Sequence, residues 1–120
     1  MRTLLRGPLH GAGAADAVLV EGEVITWVGQ GRPPQRPDEE VIAGPGELIA
    51  PGFVDLQVNG FAGHDAAAGA DAIAAISNAL PATGVTAFLP TIISAPVEVG
   101  AEFAAAVGAE IGRASCRERV

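Results

Sequence analysis

The run Val54-Asp55-Leu56-Gln57-Val58-Asn59, set between Pro51-Gly52-Phe53 and Gly60, alternates apolar and polar residues without a break. Successive side chains of a strand point to opposite faces. Val54, Leu56 and Val58 therefore share one face, and Asp55, Gln57 and Asn59 share the other. Two arrangements suit such a strand. An antiparallel surface strand would put the polar set in water. A barrel strand would turn it to the lumen and lay the apolar set under a helix.

The next stretch of sequence bears on the choice. Asp71 to Leu80 has helical spacing, with Ile73, Ile76 and Leu80 on one face, Asp71 as N-cap or first-turn acid, and Pro81 and Gly84 as stops. Val85 to Leu89 reads as a short apolar strand ended by Pro90, and Pro96 starts a second helix over Val97 to Val107. Strand, helix, strand, helix is the order of parallel β/α units.

The preceding fifty residues read differently. Asp16 to Val20 and Glu23 to Val28 form a hairpin with Gly22 at its turn. Gly29 to Pro37 is loop, and Val41-Ile42 and Glu47-Leu48-Ile49 are further short strands around Gly44-Pro45-Gly46. The expected division is a β-rich segment over 1–50, β/α units over 51–110 and a discordant tail over 111–120. That tail holds three of the seven arginines and the only cysteine, Cys116. It resembles the translation of a sequencing adapter and is expected to be non-native; the alternative is a basic helix end, where Arg suits the negative pole of the dipole. Nothing places a histidine beside Cys116, so it is not read as a nucleophile.

Charge excludes some partners. The net charge is −7 and every basic residue is arginine. Carboxylates find no partner on nucleic acid or on an anionic membrane. No run approaches the ~18 apolar residues of a membrane span. The first residues lack the apolar run of a signal peptide. A lone cysteine makes no internal disulfide. The expected location is the cytoplasm.

The run Pro51 to Gly60 resembles the first barrel strand of the amidohydrolase superfamily, where most members carry His-x-His. Alternate positions of one strand aim two imidazoles at a single lumenal point. Here those positions hold Gln57 and Asn59. In that departure the chain is similar to the N-acetylglucosamine-6-phosphate deacetylases, many of which carry Gln-x-Asn-Gly. A second stretch, Gly84-Val85-Thr86-Ala87-Phe88-Leu89-Pro90-Thr91-Ile92-Ile93-Ser94, resembles the second barrel strand and loop of the same family. The resemblance implies an α/β fold: N-terminal strands of a small β-sandwich, then the first two β/α units of an incomplete (β/α)8 TIM barrel. It implies hydrolysis of the N-acetyl group of N-acetylglucosamine 6-phosphate to glucosamine 6-phosphate and acetate. A divalent metal ion, zinc or another transition metal, would be held by a Glu and two His from later strands, and a later Asp would carry the proton. Those residues fall outside this chain, so no catalytic or metal residue is assigned within it. The whole protein is expected to be a homo-oligomer acting on an amino-sugar phosphate.

Five residues are candidates for lining the pocket: Gln57, Asn59, Gly60, His64 and Thr91. Gln57 and Asn59 either contact ligand or satisfy hydrogen bonds in the barrel core. Asp55 is read as a hydrogen-bond acceptor near the barrel floor. Gly60 and Gly63 let the following loop turn sharply. His64 lies in that loop, either solvated or near substrate. Thr91 either faces the site or caps its loop. His10 to Asp16 lacks the third glycine of a dinucleotide loop and no helix follows. Two rivals stand beside the deacetylase reading. Another metal-dependent amidohydrolase would show His at 57 and 59. A non-catalytic amino-sugar-binding module would fold and bind on its own.

Overall fold

A computed structural model describes residues 1–111; the expectations for the tail beyond Ile111, Cys116 included, lie outside the described residues. The chain divides into two units, Met1–Pro51 and a second that begins at Gly52.

The first unit is a four-stranded sheet. Its strands are β1 (Arg2–Arg6), β2 (Ala17–Glu21), β3 (Val24–Gly29) and β4 (Glu39–Ile42), in the spatial order β3-β2-β1-β4. The hairpin expected around Gly22 is present: β2 and β3 are antiparallel, and Gly22 takes a φ of 61°. A glycine at the first position of a two-residue turn supplies the positive φ that matches strand twist. Strand β2 is buried from Ala17 to Val20. Leu4, Ala17 and Leu19 form the unit's core with Trp27 packed against them.

Two features of this sheet differ from expectation. Arg2–Arg6 is a strand in the middle of the sheet, antiparallel to β2 and parallel to β4. Its sequence hides this, because Leu4 and Leu5 are adjacent and break the alternation. Conversely, Glu47–Ile49 is not a strand. It makes a single bridge, Leu9 to Ile49. The Glu47 carboxylate is occupied in a turn, accepting from the Gly44 amide at 2.6 Å, and Pro51 soon ends the extension.

The second unit contains β5 (Phe53–Val58), a short hairpin of β6 (Gly60–Phe61) and β7 (His64–Asp65), helix α1 (Ala70–Ala79), strand β8 (Val85–Pro90) and helix α2 (Val97–Glu110). Strands β5 and β8 are parallel, and α1 lies in the crossover between them. The helix starts after Gly69 with Asp71 in its first turn, then tightens into a 3₁₀ turn over Leu80–Thr83. Pro81 is tolerated there, and Gly84 ends the turn in the left-handed region with φ 85°. Helix α2 continues past its expected end at Val107 to Glu110.

Ile73, Ile76 and Leu80 turn their shared stripe inward. With Val58 and Ala66 they make the second core, and Phe88, Phe103 and Val107 pack against it. The apolar face of β5 is only partly covered. Val58 is 5% exposed, but Val54 and Leu56 are 62% and 68% exposed. Among the described residues, cover for the strand reaches Val58 and stops. The polar face is also open: Gln57 and Asn59 are exposed and Asp55 is half-buried.

Ile76 is fully buried at the centre of its cluster. Ile76→Ala should therefore lower unfolding free energy by about 2–5 kcal/mol, read by chemical denaturation, as removing a buried aliphatic side chain leaves a cavity.

Candidate functional site

The carboxyl ends of β5 and β8 lie side by side, and the segments leaving these two ends build one cleft. Beyond β8, the Thr91 amide donates to the Val58 carbonyl at 3.0 Å. The Thr91 hydroxyl donates to the Asn59 side-chain oxygen. This clasp continues the parallel ladder past Pro90, which has no N–H to give. Asn59 also holds the next element, its carbonyl accepting from the Ala66 amide at 2.8 Å.

The hairpin of β6 and β7 forms the opposite wall. Ala62 and Gly63 make its turn with φ of 52° and 83°. Positive φ at both central positions is the type I′ signature, which Asn-Gly satisfies best. Gly60 is required by space: a Cβ there would lie 2.6 Å from the His64 carbonyl oxygen. Asp65 then caps the 3₁₀ turn Ala66–Ala68, accepting from the Ala67 amide at 2.9 Å.

The result is an open cleft of about 460 Å³ lined by Asn59, Gly60, Gly63, His64, Asp65, Ala67, Thr91, Ile92 and Ile93. Four of the five residues singled out in the sequence, Asn59, Gly60, His64 and Thr91, come together here. Gln57 does not line it, because it sits one strand pair deeper. His64 belongs to a paired strand, opposite Phe61, rather than to a free loop. The short Gly60–Asp65 segment gives too little alternation to show a hairpin. Asp55 accepts from the Gln57 amide at 3.0 Å, a local turn-like bond rather than a contact with a neighbouring strand. Asp65 is a lining residue that sequence reasoning passes over, although an Asp before a run of alanines is an N-cap signal.

With its side-chain oxygen committed to Thr91, Asn59 has two amide N–H donors left.

No family model matches the chain. Over 58 residues, 45% of the chain, it is 38% identical to the N-acetylglucosamine-6-phosphate deacetylase of Rattus norvegicus. It is 36% identical to that of Homo sapiens over the same length. Each match spans only 14% of the relative's own length. Among solved structures, N-acetyl-D-glucosamine-6-phosphate deacetylase from Mycobacterium smegmatis superimposes with a TM-score of 0.76. The identity is 22%, covering 96% of this chain and 33% of that one. A point mutant of that enzyme, solved in complex with N-acetyl-D-glucosamine-6-phosphate, gives a TM-score of 0.78 at 21% identity, covering 96% of this chain and 30% of its own.

Over part of its length the chain is similar to the N-acetylglucosamine-6-phosphate deacetylases, of which it spans at most about a third. The mammalian identities carry that relationship, and the mycobacterial structures carry the fold.

The resemblance to metal-dependent amidohydrolases implies a divalent metal. The cleft offers one imidazole, His64, and one carboxylate, Asp65, already engaged as a cap. Asn59 is neutral, and neutral amides bind transition metals more weakly than imidazole does. Among the described residues, no three of His, Cys, Asp and Glu gather closely enough to hold a metal ion. These donors do not make a metal centre. No described helix is long and apolar enough to cross a membrane.

This geometry predicts two outcomes. A double-mutant cycle of Asn59→Ala and Thr91→Val, read by denaturant midpoints, should give a coupling of about 0.5–1.5 kcal/mol. Ala62→Gly should raise stability by up to about 1 kcal/mol, because an L side chain is strained where φ is positive; a thermal melt measures it.

Proposed function

We propose that this chain forms part of an enzyme that removes the N-acetyl group of N-acetylglucosamine 6-phosphate, giving glucosamine 6-phosphate and acetate. The observation that carries the reading is the Asn59–Thr91 clasp at the carboxyl ends of two parallel strands. In β/α barrels that end carries the active site. In this reading, residues 1–50 contribute strands to a small β-sandwich, and residues 51–110 are the first two units of a TIM barrel. The chain spans about a third of the mycobacterial structure it matches, so the remaining units would come from further sequence.

Within the cleft, Asn59 serves as a donor to a sugar hydroxyl or the acetamido carbonyl. Gly60 and Gly63 keep the wall low enough for a hexose ring to approach. His64 and Thr91 line opposite sides. Gln57 supports the strand beneath. A divalent metal, where the enzyme uses one, would be held by side chains outside the described residues. The assembled enzyme is taken to be a cytoplasmic homo-oligomer.

The exposed apolar residues argue against a self-sufficient sugar-binding module. Phe53, Val54, Leu56 and Leu89 are 66%, 62%, 68% and 55% exposed on β5 and β8. Stable monomers rarely leave so many large apolar side chains of one two-stranded sheet in water. Neighbouring β/α units would cover it.

The protein extended to the length of its relatives should release acetate from N-acetylglucosamine 6-phosphate, and the 120-residue chain alone should release none. Asn59→Ala in the extended protein should lower kcat/KM about 5- to 150-fold, the loss of a buried hydrogen bond worth ~1–3 kcal/mol. An extended protein that leaves this substrate intact but opens a cyclic amide would overturn the proposal in favour of another amidohydrolase.

A further inference from the structure

The four arginines among the described residues all lie in the first unit. Two are matched: Arg2 pairs with Glu21 at 3.2 Å and Arg6 with Glu40 at 2.7 Å. Arg32 and Arg36 have no carboxylate within ion-pair distance among the described residues. Both sit on the loop that joins β3 to β4, and with Arg6 they border one concavity of about 630 Å³ floored by Leu4. Among the described residues, Glu40 is the only carboxylate on its lining, and Arg6 already holds it. Asp38, nearby, accepts the Arg2 amide at 2.8 Å.

In a chain of net charge −7, three arginines against one carboxylate along this lining is an excess of cations. The loop that carries them is also stiff. Pro33, Pro34 and Pro37 fix their own φ angles. Its first end is tied where the Gly31 amide donates to the Asp16 carboxylate at 2.9 Å. Its second is tied where the Asp38 amide donates to the Arg2 carbonyl at 2.9 Å. A pinned loop loses little further freedom when its side chains are recruited, so a ligand gains more of the contact energy. Planar guanidinium forks match tetrahedral oxyanions through paired N–H donors.

We propose that this concavity is a binding site for a small phosphate-bearing anion, held by Arg32 and Arg36 with Arg6 beside them. The site belongs to the first unit and does not depend on the deacetylase reading. A long polyanion is disfavoured, because the rest of the chain would repel it.

The test uses the full 120-residue chain and inorganic phosphate, against sodium chloride at matched ionic strength. Arginine Nε–H resonances report the site, and the urea midpoint reports any ligand-linked stabilisation. Phosphate should shift Arg32 and Arg36 saturably and raise the midpoint where chloride does not. Arg32→Gln and Arg36→Gln should each weaken binding at least tenfold, whereas Arg2→Gln should change it less than threefold. Both replaced residues are exposed, so the fold should survive their loss. A response that does not saturate, that is equal in chloride, or that persists in the Arg32→Gln/Arg36→Gln double variant would overturn the site.

Discussion

Strand β5 lies parallel to β8, with Phe53 opposite Val85 and Val58 opposite Pro90. Parallel pairing obliges the chain to travel back along the sheet before the second strand can begin, and a helix is the compact way to do it. That obligation places α1. The stripe of Ile73, Ile76 and Leu80 then meets Val58 and Phe88, and the core exists because the return path must be covered. It also sets both strands' carboxyl ends at one edge, so Asn59 and Thr91 meet without any long-range coincidence.

Much of this architecture can be read where local chemistry and tertiary demand agree. Gly22 between two alternating runs announces a hairpin, and the i, i+3, i+7 spacing of Ile73, Ile76 and Leu80 announces a helix face. The failures have equally local causes. Leu4-Leu5 reads as neither period, so β1 shows itself only through its neighbours on both sides. Glu47 to Ile49 has the composition of a strand, but the Glu47 carboxylate prefers the Gly44 amide three residues back. Side-chain capping competes with the ladder there and wins.

The site is legible in part. Alternation puts Gln57 and Asn59 on one face, but it does not say which of them stands at the rim; that depends on where β8 ends. The clasp to Thr91 depends on a register that includes shifts after Phe53 and after Asp55. Such irregularities have no signature in composition. The hairpin at Ala62-Gly63 is hidden because alanine is a poor marker of positive φ. The arginine concavity is invisible as well: Arg6 and Arg32 are far apart in sequence, and the cation excess on the lining emerges only when Glu40 is seen to be taken by Arg6.

The parallel pairing of β1 with β4 sets Thr3 opposite Glu39, so the first strand's partner lies far along the chain. Local loops close faster than distant ones. During synthesis, β2 and β3 can zip together as soon as Gly22 and β3 clear the ribosome, while one edge of β1 waits for everything up to Ile42. The proline-rich loop is made in that interval. The order of assembly in this unit is thus written into the direction of a single edge strand.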